Sequence, residues 1–253
     1  TALYSKSRVL YRLKQARELL AKTKAPGLVV GEGYLDVIAF ERAGIAAVAP
    51  CGTALTEEQM QLLWRSGGEP VFCFDGDAAG QRAADRALDL ALPHLGPSRT
   101  LKIALLPPGE DPDDVFRRAG ADALQAVLAS ALSASDALFA REKARRPLDT
   151  PEARAAFKAG LREAAGKIAD PDTKRFYLSE LLSRADAALR PVWKPYERGA
   201  PRGLGGYGGR SAPPLPASAE LTAQFATGVR VKDPERYLRA VIDYSMAARF
   251  ADW

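Results

Sequence analysis

The stretch VFCFDGDAAGQRAADRAL (residues 71–88) joins a short apolar run to an acidic turn and a helix of small residues. The apolar run predicts a buried strand, and an Asp-Gly pair alone would make the turn after it. The second aspartate, Asp77, therefore needs another explanation. In extended backbone Asp75 and Asp77 point to the same side, so we interpret them as a candidate metal-binding pair.

The same pattern of strand followed by helix recurs between residues 28 and 106. The apolar runs GLVVGE, IAAVAP, VFCF and LKIALLP alternate with helical stretches that end near residue 43, cover Glu57–Arg65 and cover 79–92. The middle helix begins with a capping box of Thr56 and Gln59. Short apolar strands separated by helices are typical of βαβ units. We therefore predict an α/β fold with a four-stranded parallel sheet and flanking helices.

A different period follows from about Asp113. Apolar residues then recur at helical spacing, first at Leu124, Val127, Leu128, Ala131 and Leu132 and later at Leu178, Leu181, Leu182, Ala185 and Leu189. A weaker, alanine-rich helix is predicted between them, over 153–168. These helices predict a small helical bundle beside the sheet.

The chain divides by composition into five parts. We predict a basic N-terminal region over 1–27 that leads into the core, an α/β domain over 28–109 and a helical subdomain over 110–190. A basic linker rich in glycine and proline covers 191–218, and a helical C-terminal segment too short to form a core covers 219–253. Since the chain begins with Thr1, we expect it to be a piece of a longer polypeptide.

Composition narrows the class of protein. The 253 residues are 47% hydrophobic and 26% charged, which is ordinary for a folded protein. Two cysteines and one histidine without metal-ligand spacing predict no zinc site and a reducing, cytoplasmic environment. No apolar run is long enough for a membrane span, so we expect no membrane partner. The net charge of +5 favours an acidic partner such as nucleic acid.

Acidic residues follow three of the four predicted strands. They are Glu32 and Asp36 after the first, Asp75 and Asp77 after the third, and Glu110, Asp111 and Asp113 after the fourth. The carboxyl ends of parallel strands share one edge of the sheet, so these carboxylates are expected to converge. Their mutual repulsion must be neutralised by cations, and hard oxygen ligands select Mg²⁺ or Mn²⁺.

The first residues are basic. Lys6, Arg8, Arg12, Lys14, Arg17, Lys22 and Lys24 stand against a single acid, Glu18. If Val9, Leu10, Leu13 and Leu20 form a buried stripe, the basic side chains line the exposed side and can bind template phosphates. A solvated helix face is the alternative interpretation, and the sequence leaves both open.

The motifs together carry a family resemblance. VVGEGYLDVIAFERAGI, GTALTEEQMQLL, FCFDGDAAGQRAADRAL and LPPGEDPDDVFRRAG resemble, in order and spacing, the TOPRIM region of bacterial primases of the DnaG type. The preceding YSKSRVLYRLKQAR resembles the basic segment upstream of that region. The resemblance covers about residues 3–190 and implies a TOPRIM domain over 28–109.

The resemblance also implies a function. Such an enzyme makes short RNA primers on single-stranded DNA from ribonucleoside triphosphates, using two or more Mg²⁺ or Mn²⁺ ions. It further implies a bacterial cytoplasmic location and a replicative helicase as partner, through a C-terminal domain only partly present in 219–253.

Residue roles carry over from the resemblance. The implied catalytic residues are Glu32, Asp75 and Asp77, and the implied metal site consists of Glu32, Asp36, Asp75, Asp77, Asp111 and Asp113. Lys6 is implied near the incoming nucleotide, with Arg8, Arg12 and Lys14 as further nucleotide or nucleic-acid contacts.

Two other functions are compatible with the sequence. One is a non-catalytic remnant of a primase that binds single-stranded DNA or the helicase. The other is a stand-alone TOPRIM nuclease, which would cut the template instead of copying it.

Overall fold

The computed structural model describes residues 5–23, 25–52, 54–145 and 147–189. The predicted linker over 191–218 and the predicted segment over 219–253 lie outside these ranges. Within them, one mixed sheet has the strand order β1-β3-β2-β4-β5-β6. The strands are β1 (Leu10–Tyr11), β2 (Val29–Val30), β3 (Ala47–Pro50), β4 (Val71–Phe74), β5 (Lys102–Leu105) and β6 (Leu132–Ser133).

Eight α-helices lie in the described part of the chain. They are α1 (Leu13–Thr23), α2 (Tyr34–Arg42), α3 (Glu57–Arg65), α4 (Ala78–Ala91), α5 (Pro112–Ala129), α6 (Ala134–Ala144), α7 (Pro151–Gly166) and α8 (Pro171–Leu189). None of the helices in these ranges is long and apolar enough to cross a membrane.

The predicted parallel sheet is confirmed. β2 pairs in parallel with β3 and β4, and β4 pairs in parallel with β5. The structure adds two antiparallel edge strands that we did not predict, β1 beside β3 and β6 beside β5. The apolar residues of these edge strands fall at helical spacing with their neighbours in the sequence, so no strand pattern was visible there.

The N-terminal apolar stripe is not one continuous element. Leu10 is buried in β1, whereas Val9, Leu13 and Leu20 are only half-buried. Arg12 separates the strand from α1 with a positive φ of 59°. A single helix over these residues, which the stripe implied, is therefore wrong.

The first predicted helical repeat is also partly wrong. Leu124 is buried in α5, but Leu132 lies in β6, where it pairs with Ile103 and stays 44% exposed. Gly120, with a φ of 75°, divides α5 into two helical parts. The alanine-rich helix is α7, and the second repeat is α8, as predicted.

Alternate residues of the strands bury opposite faces of the sheet. On one face Val30, Val48 and Phe72 pack with residues of α3, α4, α6, α7 and α8. On the other face Val29 and Cys73 pack with residues of α2 and α5. The sheet is therefore covered on both faces, which explains its uninterrupted apolar strands.

Two glycines of the quoted motif allow close backbone contacts. A Cβ on Gly76 would lie 2.1 Å from the carbonyl oxygen of Leu106, and a Cβ on Gly80 would lie 2.1 Å from that of Asp75. The first contact brings the turn after β4 against the end of β5. The second packs the first turn of α4 onto the end of its own strand, which fixes the acidic turn from both sides.

We predict that Gly80→Ala lowers the free energy of unfolding by about 2–4 kcal/mol, because the added methyl group overlaps the Asp75 carbonyl and α4 must shift. Thermal unfolding followed by circular dichroism measures the loss. Gly166→Ala is the matched control, because that helical position has open space around it. The control should change stability by less than about 0.5 kcal/mol. Equal melting temperatures for the two variants would contradict the packing argument.

Candidate functional site

The predicted acidic residues lie where strands end and helices begin. Glu32 follows β2, Asp75 follows β4, and Asp36 is in the first turn of α2. Asp77 and Asp111 are the residues that cap α4 and α5. Because β2, β4 and β5 are parallel, all five belong to the carboxyl edge of the sheet, as predicted.

Asp36 holds the turn between β2 and α2. Its Oδ2 accepts hydrogen bonds from the backbone N–H groups of Glu32 and Gly33, both at 2.8 Å. Burial nevertheless raises the pKa of Asp36 above its ordinary value, and the charge of Asp111 adds to the increase. Asp36 is therefore a partly desolvated carboxyl that lies close enough to Asp111 to be repelled by its negative charge.

Asp77 caps a helix, which is a structural role in addition to the metal binding predicted from the sequence. Its Oδ1 accepts from the N–H groups of Ala79 and Gly80, at 2.8 and 2.7 Å, and so caps α4. Asp111 caps α5 in the same way, accepting from the N–H of Asp114 at 2.8 Å. Within the described residues, the second oxygen of each of these two carboxylates accepts no hydrogen bond. One oxygen of each therefore serves the fold, and the other can serve a ligand.

Asp75 is the electrostatic centre of the group. Its backbone N–H donates to Glu32 Oε1 at 3.3 Å, which ties the ends of β4 and β2 together. Burial raises the pKa of Asp75 to about 6, with further contributions from the negative charges of Glu32, Asp36, Asp77 and Asp111. We call these five residues the acid cluster.

Asp113 is not brought into the acid cluster. Its carboxylate pairs with Arg42 of α2 at 2.8 Å and with Arg117 of α5. The neighbouring Glu110 pairs with Arg118 at 2.8 Å. Both acids are thus paired with arginines in this structure, and the role of Asp113 as a metal ligand stays a prediction.

The donor set of the acid cluster fits a hard divalent cation, because it offers carboxylate oxygens alone. Burial and the neighbouring negative charges raise the pKa of Asp75, and a bound cation would favour its ionised form. In the described part of the chain, however, no three acidic, histidine or cysteine side chains are arranged as a closed ligand shell. Binding a cation would therefore require side-chain rotations within the cluster.

The predicted basic residues divide into two groups. In the register of β1 and β3, Leu10 lies opposite Pro50 and Tyr11 opposite Ala49. Residues before Leu10 therefore extend past the carboxyl edge, where the acid cluster is. We call residues 5–9 the basic segment, because its 3₁₀ turn, Lys6–Arg8, exposes Lys6 and Arg8.

Arg12 and Lys14 follow β1 in the opposite direction. The guanidinium group of Arg12 pairs with Glu41 of α2, so it is occupied by a structural contact. Lys14 is exposed in the first turn of α1. The structure therefore separates these two residues from Lys6 and Arg8.

The contacts that fasten the basic segment were not predictable from the sequence. Gln59 of α3 donates from Nε2 to the carbonyl oxygens of Lys6 and Val9, at 3.0 and 2.9 Å. The hydroxyl of Thr56 donates to the carbonyl oxygen of Ser7 at 2.6 Å. The capping box was visible in the sequence, but nothing there showed that its side chains also hold a segment about fifty residues away.

A cavity of about 270 Å³ adjoins Glu32. Phe72, Phe74 and Leu55 give it apolar walls, and Arg86 of α4 contributes a guanidinium group. Within the described residues Arg86 has no carboxylate partner. No sequence signal pointed to Arg86, since α4 carries two arginines, Arg82 and Arg86, and nothing in the pattern distinguishes them.

We predict that Asp75→Asn raises the melting temperature of the metal-free chain at pH 7.5 by about 2–4 °C. A folded-state pKa raised to about 6 makes the ionised carboxylate a cost to stability above that pH. The cost is relieved as pH falls from about 6 towards 4, where the folded chain takes up its proton. Allowing for solvent screening, it corresponds to about 1 kcal/mol.

Thermal unfolding at pH 7.5 and pH 4.5 in EDTA tests this pH dependence. The advantage of Asp75→Asn should be present at pH 7.5 and small at pH 4.5. Asp122→Asn, at an exposed position on α5, is the control for loss of one negative charge. A variant that is less stable than the parent chain at pH 7.5 would contradict the prediction.

Comparison with known proteins shows which proteins this chain is similar to. A family model described as Toprim-like matches residues 29–116, which contain the whole acid cluster. A DNA primase of Escherichia coli strain K12 is 34% identical over 242 residues. That match covers 93% of this chain and 39% of the relative, so the chain spans less than half of that protein.

Solved structures show the same fold. A structure of the DnaG catalytic core is 34% identical, with a TM-score of 0.66, and the match covers 74% of this chain and 59% of that one. A DnaG primase catalytic domain bound to single-stranded DNA is 34% identical, with a TM-score of 0.64, covering 72% and 59%. The resemblance indicated by the motifs is confirmed: the chain is a relative of bacterial DNA primases of the DnaG type.

Proposed function

We propose that this chain carries the metal and nucleotide site of a primase catalytic core. The enzyme joins ribonucleotides into short RNA primers on a single-stranded DNA template. The observation that carries the proposal is the convergence of four other carboxylates on Asp75, at the carboxyl edge of a sheet whose fold is that of primase relatives. A structure of one such relative is described as bound to single-stranded DNA, which supports DNA as the template.

Within the acid cluster we assign Glu32, Asp75 and Asp77 to catalysis and metal binding, with Asp36 and Asp111 as further metal ligands. When bound there, Mg²⁺ or Mn²⁺ would supply positive charge to phosphate oxygens that become more negative during transfer. We assign Asp113 a supporting role instead, since its pairing with Arg42 joins α5 to α2 behind the cluster.

The N-termini of three helices also favour the binding of phosphate groups at this edge of the sheet. α2, α4 and α5 each begin directly beyond the carboxyl edge, so their partially positive N-termini point towards the acid cluster. Asp77 and Asp111 use one oxygen each on those N-termini, which orients the other oxygen at the edge. The residues of this chain thus orient phosphate groups and offset part of their charge.

We assign Lys6 and Arg8 to phosphates of the incoming nucleotide, because both are exposed beyond the same edge. Lys14 remains a proposed contact for template DNA. Arg12 is better explained by its pairing with Glu41. The replicative helicase remains a proposed partner through residues 219–253.

We predict that Asp75→Ala together with Asp77→Ala reduces Mn²⁺ affinity at least tenfold, since two of five carboxylates are lost. Isothermal titration with Mn²⁺ measures the change. The matched control, Asp122→Ala with Asp149→Ala, removes two exposed carboxylates elsewhere and should leave Mn²⁺ binding unchanged. Equal Mn²⁺ affinities in both double variants would refute the site.

Incubation with single-stranded template, labelled ribonucleoside triphosphates and Mg²⁺ tests the activity. Labelled oligoribonucleotides that disappear in the Asp75/Asp77 double variant would support primer synthesis. Retention of DNA without products would favour a binding module, and cleaved template would favour a nuclease.

A further inference from the structure

We propose that Gln59 is a positioning residue: by holding the backbone of the basic segment, it sets the place of Lys6 at the same edge of the sheet as the acid cluster and thereby the affinity for a nucleoside triphosphate. The inference rests on the proposed function of the acid cluster and the basic segment. It adds a residue that touches neither metal nor nucleotide and acts on binding through Lys6.

The contacts of Gln59 reach across the chain. Its Oε1 accepts from the N–H of Thr56 at 3.1 Å, which completes the capping box of α3. Both of its amide hydrogens go elsewhere, to the carbonyl oxygens of Lys6 and Val9 at 3.0 and 2.9 Å. These two carbonyls lie at the beginning and just after the end of the 3₁₀ turn, so one side chain fixes the whole turn.

Burial shows that these bonds matter to the segment. Gln59 has 0% exposure and is buried together with the apolar Met60 and Leu63 of the same helix. An apolar side chain would fill the space equally well but would leave the Lys6 and Val9 carbonyls without their donor. Capping alone needs only Oε1, so the two donated bonds serve the basic segment rather than α3.

The fastened segment lies beyond the same edge of the sheet as the proposed site, with β3 between β1 and the first strand that carries an acid. The pairing of Leu10 with Pro50 places the residues before Leu10 beyond the edge at which the acid cluster lies. Thr56, which belongs to the same capping box, adds a hydrogen bond to Ser7 in the middle of the turn at 2.6 Å. The backbone of Lys6 is therefore set from α3, whereas its side chain remains exposed to reach a ligand.

A double-mutant cycle tests the proposal. ATP binding to the Mg²⁺-loaded chain is measured for the parent chain, Gln59→Met, Lys6→Ala and the double variant. We expect Gln59→Met and Lys6→Ala each to weaken ATP binding about tenfold, and the double variant to be within about twofold of Lys6→Ala alone. A merely structural loss would add to the loss of Lys6 instead. Mn²⁺ affinity should be unchanged in Gln59→Met, because Gln59 contacts no member of the acid cluster.

Gln61→Met is the matched control, since Gln61 lies in the same helix and approaches His94 rather than the basic segment. It should leave ATP affinity unchanged. If Gln59→Met does not fold, Thr56→Val decides in its place. That change removes the bond to Ser7, and it should weaken ATP binding in the same non-additive way with Lys6→Ala.

The outcomes distinguish the positioning role of Gln59 from the proposed nucleotide site. Unchanged ATP binding in Gln59→Met, or a loss fully additive with Lys6→Ala, overturns the positioning role and leaves the proposed function intact. A parent chain that binds neither Mn²⁺ nor ATP, or a Lys6→Ala variant with normal ATP affinity, overturns the proposed nucleotide site and the positioning role with it.

Discussion

Repulsion among carboxylates at the carboxyl edge of the sheet is the constraint on which the site depends. Five acids lie just beyond the ends of β2, β4 and β5, and burial, together with the negative charges of the other four, raises the pKa of Asp75 to about 6. The fold tolerates this arrangement because one oxygen each of Asp36, Asp77 and Asp111 accepts hydrogen bonds from backbone N–H groups. The same side chains that shape the turns therefore create the demand for a cation.

The turns that carry these carboxylates are tightly packed. The close approach of Gly80 to Asp75 and of Gly76 to Leu106 leaves no room for a side chain at either position. Those contacts fix where each helix begins and hence where each capping carboxylate points. The basic segment is fixed from the other side, by Thr56 and Gln59 of α3. Acidic and basic groups thus lie at one edge of the sheet but belong to separate turns, each held by its own contacts.

The sequence predicted what depends on local pattern. The four parallel strands, the capping box of α3 and the convergence of acids at strand ends all follow from apolar periodicity and from the geometry of parallel sheets. Leu10 of β1 and Leu132 of β6 recur at helical spacing with their neighbours in the sequence, so both were assigned to helical stripes. Asp113 follows Asp111 by two residues, as Asp77 follows Asp75, so the sequence treats it as a metal ligand. Its pairing with Arg42 and Arg117 is visible only in the fold. Gln59 illustrates the same limit, because its partners are about fifty residues away in the chain.

The pKa of the Asp75 carboxyl, measured by carbon-detected NMR titration with and without Mg²⁺, tests the central claim most directly. The account predicts a pKa near 6 in the metal-free chain and a clear fall when Mg²⁺ is added, because a cation at the acid cluster favours the ionised form. An ordinary pKa near 4 that Mg²⁺ leaves unchanged would contradict it.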